Sequence, residues 1–197
     1  MNPPANIASS MSPDVSLARG LGNAAYTEQS YLNLDRSYVL APSWIAIALV
    51  EDAPIPGTVF PTQAAGQPLL VSKDEQGDLR VFHNICRHRG TCLVTKTGAR
   101  AAIVCPYHGW TYALNGALTR TPDFSPQHVE DTPSVPAESN GLLPVRFSVW
   151  NHIIFVNLDG RAPPLADRMS GLDRRWQHLD FTRIQHGVSA HFEVRAN

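Results

Sequence analysis

Cys86-Arg87-His88 and, after sixteen intervening residues, Cys105-Pro106-Tyr107-His108 are the residues of this chain whose types and spacing can do chemistry. Each segment offers one thiolate and one imidazole, so two loops folded against each other supply two of each. That set suits a two-iron, two-sulfide cluster in which one iron takes both thiolates and the other both imidazoles. Neutral imidazole in place of thiolate leaves less negative charge on the cluster and raises its potential above that of all-Cys ferredoxins. Two Cys and two His also suit a structural zinc ion, which is the alternative reading. Zinc fingers group Cys with Cys and His with His, whereas here each loop carries one of each, and Cys86-x-His88 is tighter than usual zinc spacing.

The elements that must position these loops read as hairpins. Short apolar or β-rich runs at 44–50, 58–62 and 68–73 are separated by turn residues, and Asp74-Glu75-Gln76-Gly77 turns the chain onto Asp78–His83, directly before the first loop. Residues 101–104 lead into the second loop. Thr111–Leu114 leaves it and pairs through Asn115-Gly116, a type I′ turn signal, with Ala117–Thr119. A long Pro/Ser/Asp-rich segment, 121–141, then wraps back to strands at 142–147 and 149–158; its length tells against a simple meander.

Helices flank this β region. Ser12-Pro13-Asp14-Val15 reads as the cap and first turn of a short helix in an otherwise mobile leader, residues 1–24. A helix within 25–43 starts at Thr27 as cap, shows Tyr31, Leu34 and Tyr38 on one face, and ends before Pro42. Leu165, Met169, Leu172, Trp176 and Leu179 define an amphipathic linker helix within 161–185, and 186–197 alternates as a strand. Asp173, His178 and His186 offer the residue types of a two-His-one-carboxylate iron site, but these histidines, with His191, read as surface or packing residues. No catalytic residue is assigned.

The chain has 197 residues and a formal net charge of −1, which carries no message about nucleic acid or membranes. No apolar run approaches a membrane span or a signal-peptide core. Three cysteines, of which Cys92 reads as a small buried hydrophobe, fit a reducing compartment, so the cytoplasm is expected.

The flanks carry a resemblance. Asn84-Ile85-Cys86-Arg87-His88-Arg89-Gly90 and Cys105-Pro106-Tyr107-His108-Gly109-Trp110 resemble the Rieske domain of ring-hydroxylating oxygenase large (alpha) subunits, the group that includes aromatic dioxygenases and choline-monooxygenase-like enzymes. Trp44, Pro54–Gly57, Pro68–Val71, Gly77, Thr111–Gly116 and Phe155–Leu158 extend the likeness over 26–197. It implies a mainly β fold of antiparallel sheets with flanking helices. The Rieske domain is placed at 44–160, and 186–197 becomes the first strand of a truncated catalytic domain. Cys86, His88, Cys105 and His108 would hold a [2Fe-2S] cluster, Cys86 and Cys105 on one iron and His88 and His108 on the other.

The resemblance further implies electron delivery from a flavin reductase or a ferredoxin. A mononuclear Fe(II) in the missing domain would activate O2, in a homo-oligomer (trimer), for a mono- or dioxygenation that includes aromatic hydrocarbon catabolism. Membranes and nucleic acid have no part in it. A free-standing Rieske-type ferredoxin is the rival. Respiratory Rieske proteins add a disulfide where this chain has Thr91 and Tyr107, and a Ser hydroxyl to cluster sulfur where it has Trp110; lacking that donor, the potential is expected toward the low end of the Rieske range. Arg87 and Arg89 read equally as stabilisers of the reduced cluster, as contacts for an acidic reductase, or as solvated loop arginines. Gly90 and Gly109 read as backbone devices of the loops, and Trp110 and Tyr107 as a shield or as ordinary packing.

Overall fold

A computed structural model of the chain describes residues 12, 14–18, 20–122, 133, 135–181, 187, 188, 190 and 192–194. Among these, the strands form three antiparallel sheets. The central one has the order β4 (Leu79–His83), β3 (Gln67–Lys73), β2 (Thr58–Ala64), β5 (Gly98–Ala99). Successive side chains of a strand point to opposite faces, and here each face feeds a different core. Val59, Leu70 and Phe82 pack with Cys86, Cys105 and Tyr112. Their neighbours Phe60, Leu69, Val71 and Val81 pack with Ile154 and Val156. The sheet is a wall between two cores, which is why Leu69, Leu70 and Val71 are all buried.

The second core is closed by β1 (Ile45–Leu49), β10 (Ile153–Asn157) and β9 (Arg146–Trp150), in the order β1-β10-β9. A small third sheet, β6 (Ile103–Val104), β7 (Thr111–Tyr112) and β8 (Leu118–Arg120), lies over the first core. The first Cys/His loop follows β4 and the second joins β6 to β7, so both hang from strands whose register is fixed elsewhere.

The expected mainly β architecture is observed, with local differences. The type I′ turn expected at Asn115-Gly116 is not formed. Only Gly116 has positive φ (88°), and Gly116 N–H bonds Ala113 O while Ala113 N–H bonds Ala117 O, the pattern of a type I turn with a glycine bulge. Tertiary contact decides this: the Phe82 ring lies where a Gly116 Cβ would be, 2.5 Å from its Cε1, and Leu142 N–H takes Gly116 O. Two-residue turns with both central φ positive occur instead at Ala65-Gly66 (48° and 77°) and Asn151-His152 (45° and 68°). The latter splits the extended run at 149–158.

The helix expected from Thr27 is broken into α1 (Ala24–Thr27) and α2 (Gln29–Leu34), followed by a π-helical stretch, Asp35–Leu40. Thr27 is not a cap; its Oγ1 donates to Asn23 O, and Glu28, extended at φ −94°, caps α2. At the far end Asn157 Nδ2 donates to Ala41 O and Ser43 O, and Asp159 N–H also takes Ala41 O. Capture by the end of β10 accompanies the wider Ala41 N–H to Arg36 O bond of 2.9 Å. The short helix at Ser12–Val15 is one turn, with Ser12 Oγ accepting from Asp14 N–H; Pro13 and most of the leader lie outside the described residues.

Of the wrap segment, 123–132 and 134 lie outside the described residues; its end forms α3 (Ala137–Asn140). The linker helix α4 (Leu165–Trp176) stops short of Leu179, which is exposed. Leu165 is buried, and Trp150 Nε1 donates to Asp173 Oδ1 at 2.7 Å, docking α4 on β9. In 186–197 the described positions carry no strand, since a single extended segment needs a partner to ladder with; His186 and His191 lie outside them, and His178 is exposed. No helix among the described residues is long and apolar enough to cross a membrane.

Candidate metal centre

The two Cys/His loops close in the same way although their sequences differ. In the first, Cys86 N–H bonds Thr91 O (2.8 Å) and Gly90 N–H bonds Cys86 O (3.0 Å). In the second, Cys105 N–H bonds Trp110 O (2.8 Å) and Gly109 N–H bonds Cys105 O (3.1 Å). Gly90 and Gly109 thus occupy equivalent places, with φ of 72° and 71°, a conformation other residues adopt only at a cost. His88 and His108 sit two and three residues after their cysteines within this common turn. Asn84, nearly fully buried, clamps the first loop from inside: its Oδ1 accepts from Leu93 and Val94 N–H, and its Nδ2 donates to Val94 O.

Folded together, the loops give two pairs rather than one ring of four. Cys86 and Cys105 are buried in the first core and interact with each other. Burial pushes the Cys86 thiol above its ordinary value, and a metal bound at the sulfur would offset this by displacing the proton. His88 and His108 face each other with ring centroids 4.7 Å apart, at the half-exposed end. Desolvation, His108 and the Arg89 charge hold His88 below its usual value, which favours the neutral imidazole that binds metals. Among the described residues no three His, Cys, Asp or Glu side chains are grouped around a single ion.

His108 Nδ1 is buried and makes no hydrogen bond, the state of a nitrogen whose partner is a metal. Two buried thiols, two adjacent imidazoles and this orphaned nitrogen fit a [2Fe-2S] cluster of mixed ligation better than one tetrahedral zinc.

Further side chains surround the quartet. Trp110 is buried and stacks on His88 at 5.1 Å and 8°, while the exposed Tyr107 lies against His108 with centroids 3.7 Å apart. Both therefore cover imidazole faces. Tyr112, which the sequence reading did not single out, has no solvent exposure; its hydroxyl lies 3.4 Å from Cys86 Sγ and accepts from Arg87 N–H at 3.0 Å. Burial raises the Tyr112 hydroxyl well above its ordinary value, so it stays protonated. The available signal was its place two residues after Trp110, on a strand whose alternation turns it inward. Cys92 corrects an expectation: it is exposed rather than buried, because Leu93 and Val94 take the inward positions and leave the thiol on the rim, 3.6 Å from Val94 O.

The family described as "Rieske [2Fe-2S] domain" matches residues 43–136. The glycine betaine monooxygenase oxygenase subunit of Chromohalobacter salexigens is 28% identical over 173 residues, covering 87% of this chain and 38% of its own length. Among solved structures, the quaternary ammonium Rieske monooxygenase CntA superposes with a TM-score of 0.70 at 26% identity, covering 82% of this chain and 44% of the other. Naphthalene 1,2-dioxygenase superposes at 0.71 and 26%, covering 80% and 35%. The chain thus spans less than half the length of each of these relatives. Two buried thiols and two facing imidazoles on matched hairpin loops, within a segment of that family, identify residues 43–136 as a Rieske [2Fe-2S] domain of the kind carried by Rieske oxygenases.

Proposed function

We propose that this chain is the electron-accepting part of a Rieske oxygenase, taking electrons from a flavin reductase or a ferredoxin and passing them to a mononuclear iron site that activates O2. The observation that carries this reading is the buried, unbonded His108 Nδ1 beside His88, with the Cys86/Cys105 pair beneath. Bound there, a [2Fe-2S] group supplies one-electron redox chemistry. In this reading Cys86 and Cys105 ligate one iron through sulfur, and His88 and His108 the other through ring nitrogen. Asn84 and the two loop closures hold the ligands in place, Trp110 and Tyr107 keep water from the imidazole faces, and the half-exposed histidines form the electron portal.

The whole-protein reading rests on the relatives. Residues 44–160 would be the Rieske domain, 161–185 a linker, and 186–197 the approach to a catalytic domain with mononuclear Fe(II), in a cytoplasmic homo-oligomer. The curated relative is named for glycine betaine, and CntA for quaternary ammonium compounds. That supports a quaternary ammonium substrate over aromatic hydrocarbon catabolism, for which the naphthalene enzyme is only a structural neighbour.

Purified anaerobically, the chain is expected to be reddish brown, with about two irons and two sulfides per chain and the reduced EPR spectrum of mixed His/Cys ligation. Cys86→Ser and His108→Ala each abolish the assembled cluster. The isolated chain takes up electrons but hydroxylates no quaternary ammonium compound. Stoichiometric zinc without sulfide in freshly isolated protein would overturn the reading.

A further inference from the structure

The chain's formal net charge of −1 conceals a strong asymmetry. Between Leu79 and Pro122, the stretch that carries both Cys/His loops, there are six Lys or Arg residues and no Asp or Glu, whereas all seventeen acidic residues lie elsewhere. Arg80 is neutralised by Asp74 and Asp78 at 3.0 and 3.1 Å. Arg87, Arg89, Lys96, Arg100 and Arg120 are exposed, and among the described residues none has a carboxylate partner.

Three of these border the imidazole end. Arg87 and Arg89 flank His88, and Arg87 is pinned at 3.4 Å to Ser139 O. Arg120 pairs in register with Thr111, the residue after the Trp110 that stacks on His88. Lys96 and Arg100 are held together, with Arg100 Nη2 donating to Lys96 O at 3.0 Å.

We propose that Arg87, Arg89 and Arg120, backed by the field of Lys96 and Arg100, form the docking surface for an acidic electron-carrier protein that delivers its electron at the His88/His108 edge. This rests on the cluster reading above and names the charge class of its donor. A carrier with a negative face is attracted to this end and finds no such attraction from the rest of the chain, whose sequence holds more acidic than basic residues. It therefore arrives oriented, with its own redox centre near the half-exposed imidazoles. One electron leaves the carrier and enters the cluster, with no other reactant.

Stopped-flow mixing of the oxidised holoprotein with a reduced, acidic plant-type ferredoxin tests this, after the visible spectrum has shown that each variant holds its cluster. The second-order rate is expected to fall steeply as ionic strength rises from about 0.02 to 0.5 M, as screening shortens the reach of the field. Arg87→Glu/Arg89→Glu and Arg120→Glu each reduce the low-salt rate about tenfold or more, Arg87→Lys/Arg89→Lys retains most of it, and all variants converge at high salt. Lys96→Glu/Arg100→Glu, remote from the ligands, gives a smaller loss and keeps the test decisive if the loop variants lose their cluster. A rate that is independent of salt, rises with salt, or ignores these reversals overturns the docking surface. So does a salt-sensitive self-association abolished by the same reversals with the ferredoxin rate unchanged, which would assign the patch to a second copy of the chain. A wild-type chain without the cluster spectrum refutes the cluster reading itself.

Discussion

Tyr112 decides more of the centre's redox character than its place in the sequence suggested. The absence of a hydroxyl at Trp110 argued for a low potential, but a hydroxyl reaches Cys86 Sγ from a different position. Once the thiol is deprotonated it can only accept, and Tyr112, whose oxygen already accepts from Arg87 N–H, has its proton left to donate. A donor to sulfur stabilises the reduced, more negative state. Tyr112→Phe is therefore expected to lower the midpoint potential by about 60 mV, the one-electron equivalent of about 1.4 kcal/mol, a usual value for one hydrogen bond. Protein-film voltammetry reads this directly; an unchanged potential would refute the hydrogen bond's role.

At the scale of elements, the turn between β7 and β8 and the end of β4 each carry a prediction. Gly116 combines φ 88° with a Phe82 ring where a side chain would be. Gly116→Ala is therefore expected to cost about 2 kcal/mol or more, from backbone strain plus overpacking, and urea unfolding monitored by circular dichroism measures it. A change below about 0.5 kcal/mol would show that the hairpin relaxes freely. His83, at the end of β4, is held below its ordinary value of 6.5 by burial. The unfolded chain binds this proton near pH 6.5 while the folded chain does not, so stability falls as pH drops through that value and levels off once folded His83 protonates. Urea midpoints at neutral and mildly acidic pH should show this loss, and His83→Gln should flatten it; an unaltered slope in the variant would assign the pH dependence to other groups.

On the scale of the whole molecule, the two-faced central sheet separates what depends on the cluster from what does not. Cys86, Cys105, Trp110 and Tyr112 belong to one core, and Ile154, Val156 and Phe60 to the other. Removing the iron leaves the first core with two facing thiols and an unbonded imidazole nitrogen, while the second loses nothing. Cluster removal by an anaerobic chelator and reductant is therefore expected to raise amide hydrogen exchange sharply over 84–94 and 105–112 and to leave Ile153–Asn157 protected. Exchange that rises uniformly through both cores would mean that the domain unfolds as a single unit.

Short-range chemistry was legible in the sequence. The four ligand candidates lie in two contiguous motifs, so their identity and spacing survive without knowledge of the fold, and the strands flanking them follow from alternation and turn residues over a few positions. What depended on distant partners was not legible. Tyr112 and Cys86 are 26 residues apart, and only the folding of β7 over the first loop brings hydroxyl to sulfur. The turn at Gly116 took its form from Phe82 and Leu142, the helix before Pro42 ended in a π-helical stretch where Asn157 and Asp159 hold Ala41, and Cys92 faced outward because Leu93 and Val94 filled the core beside it. The sequence by itself determined which groups could bind iron and that hairpins would present them. The tertiary structure alone decided which atoms those groups meet, because burial and hydrogen bonding depend on segments that chain order leaves far apart.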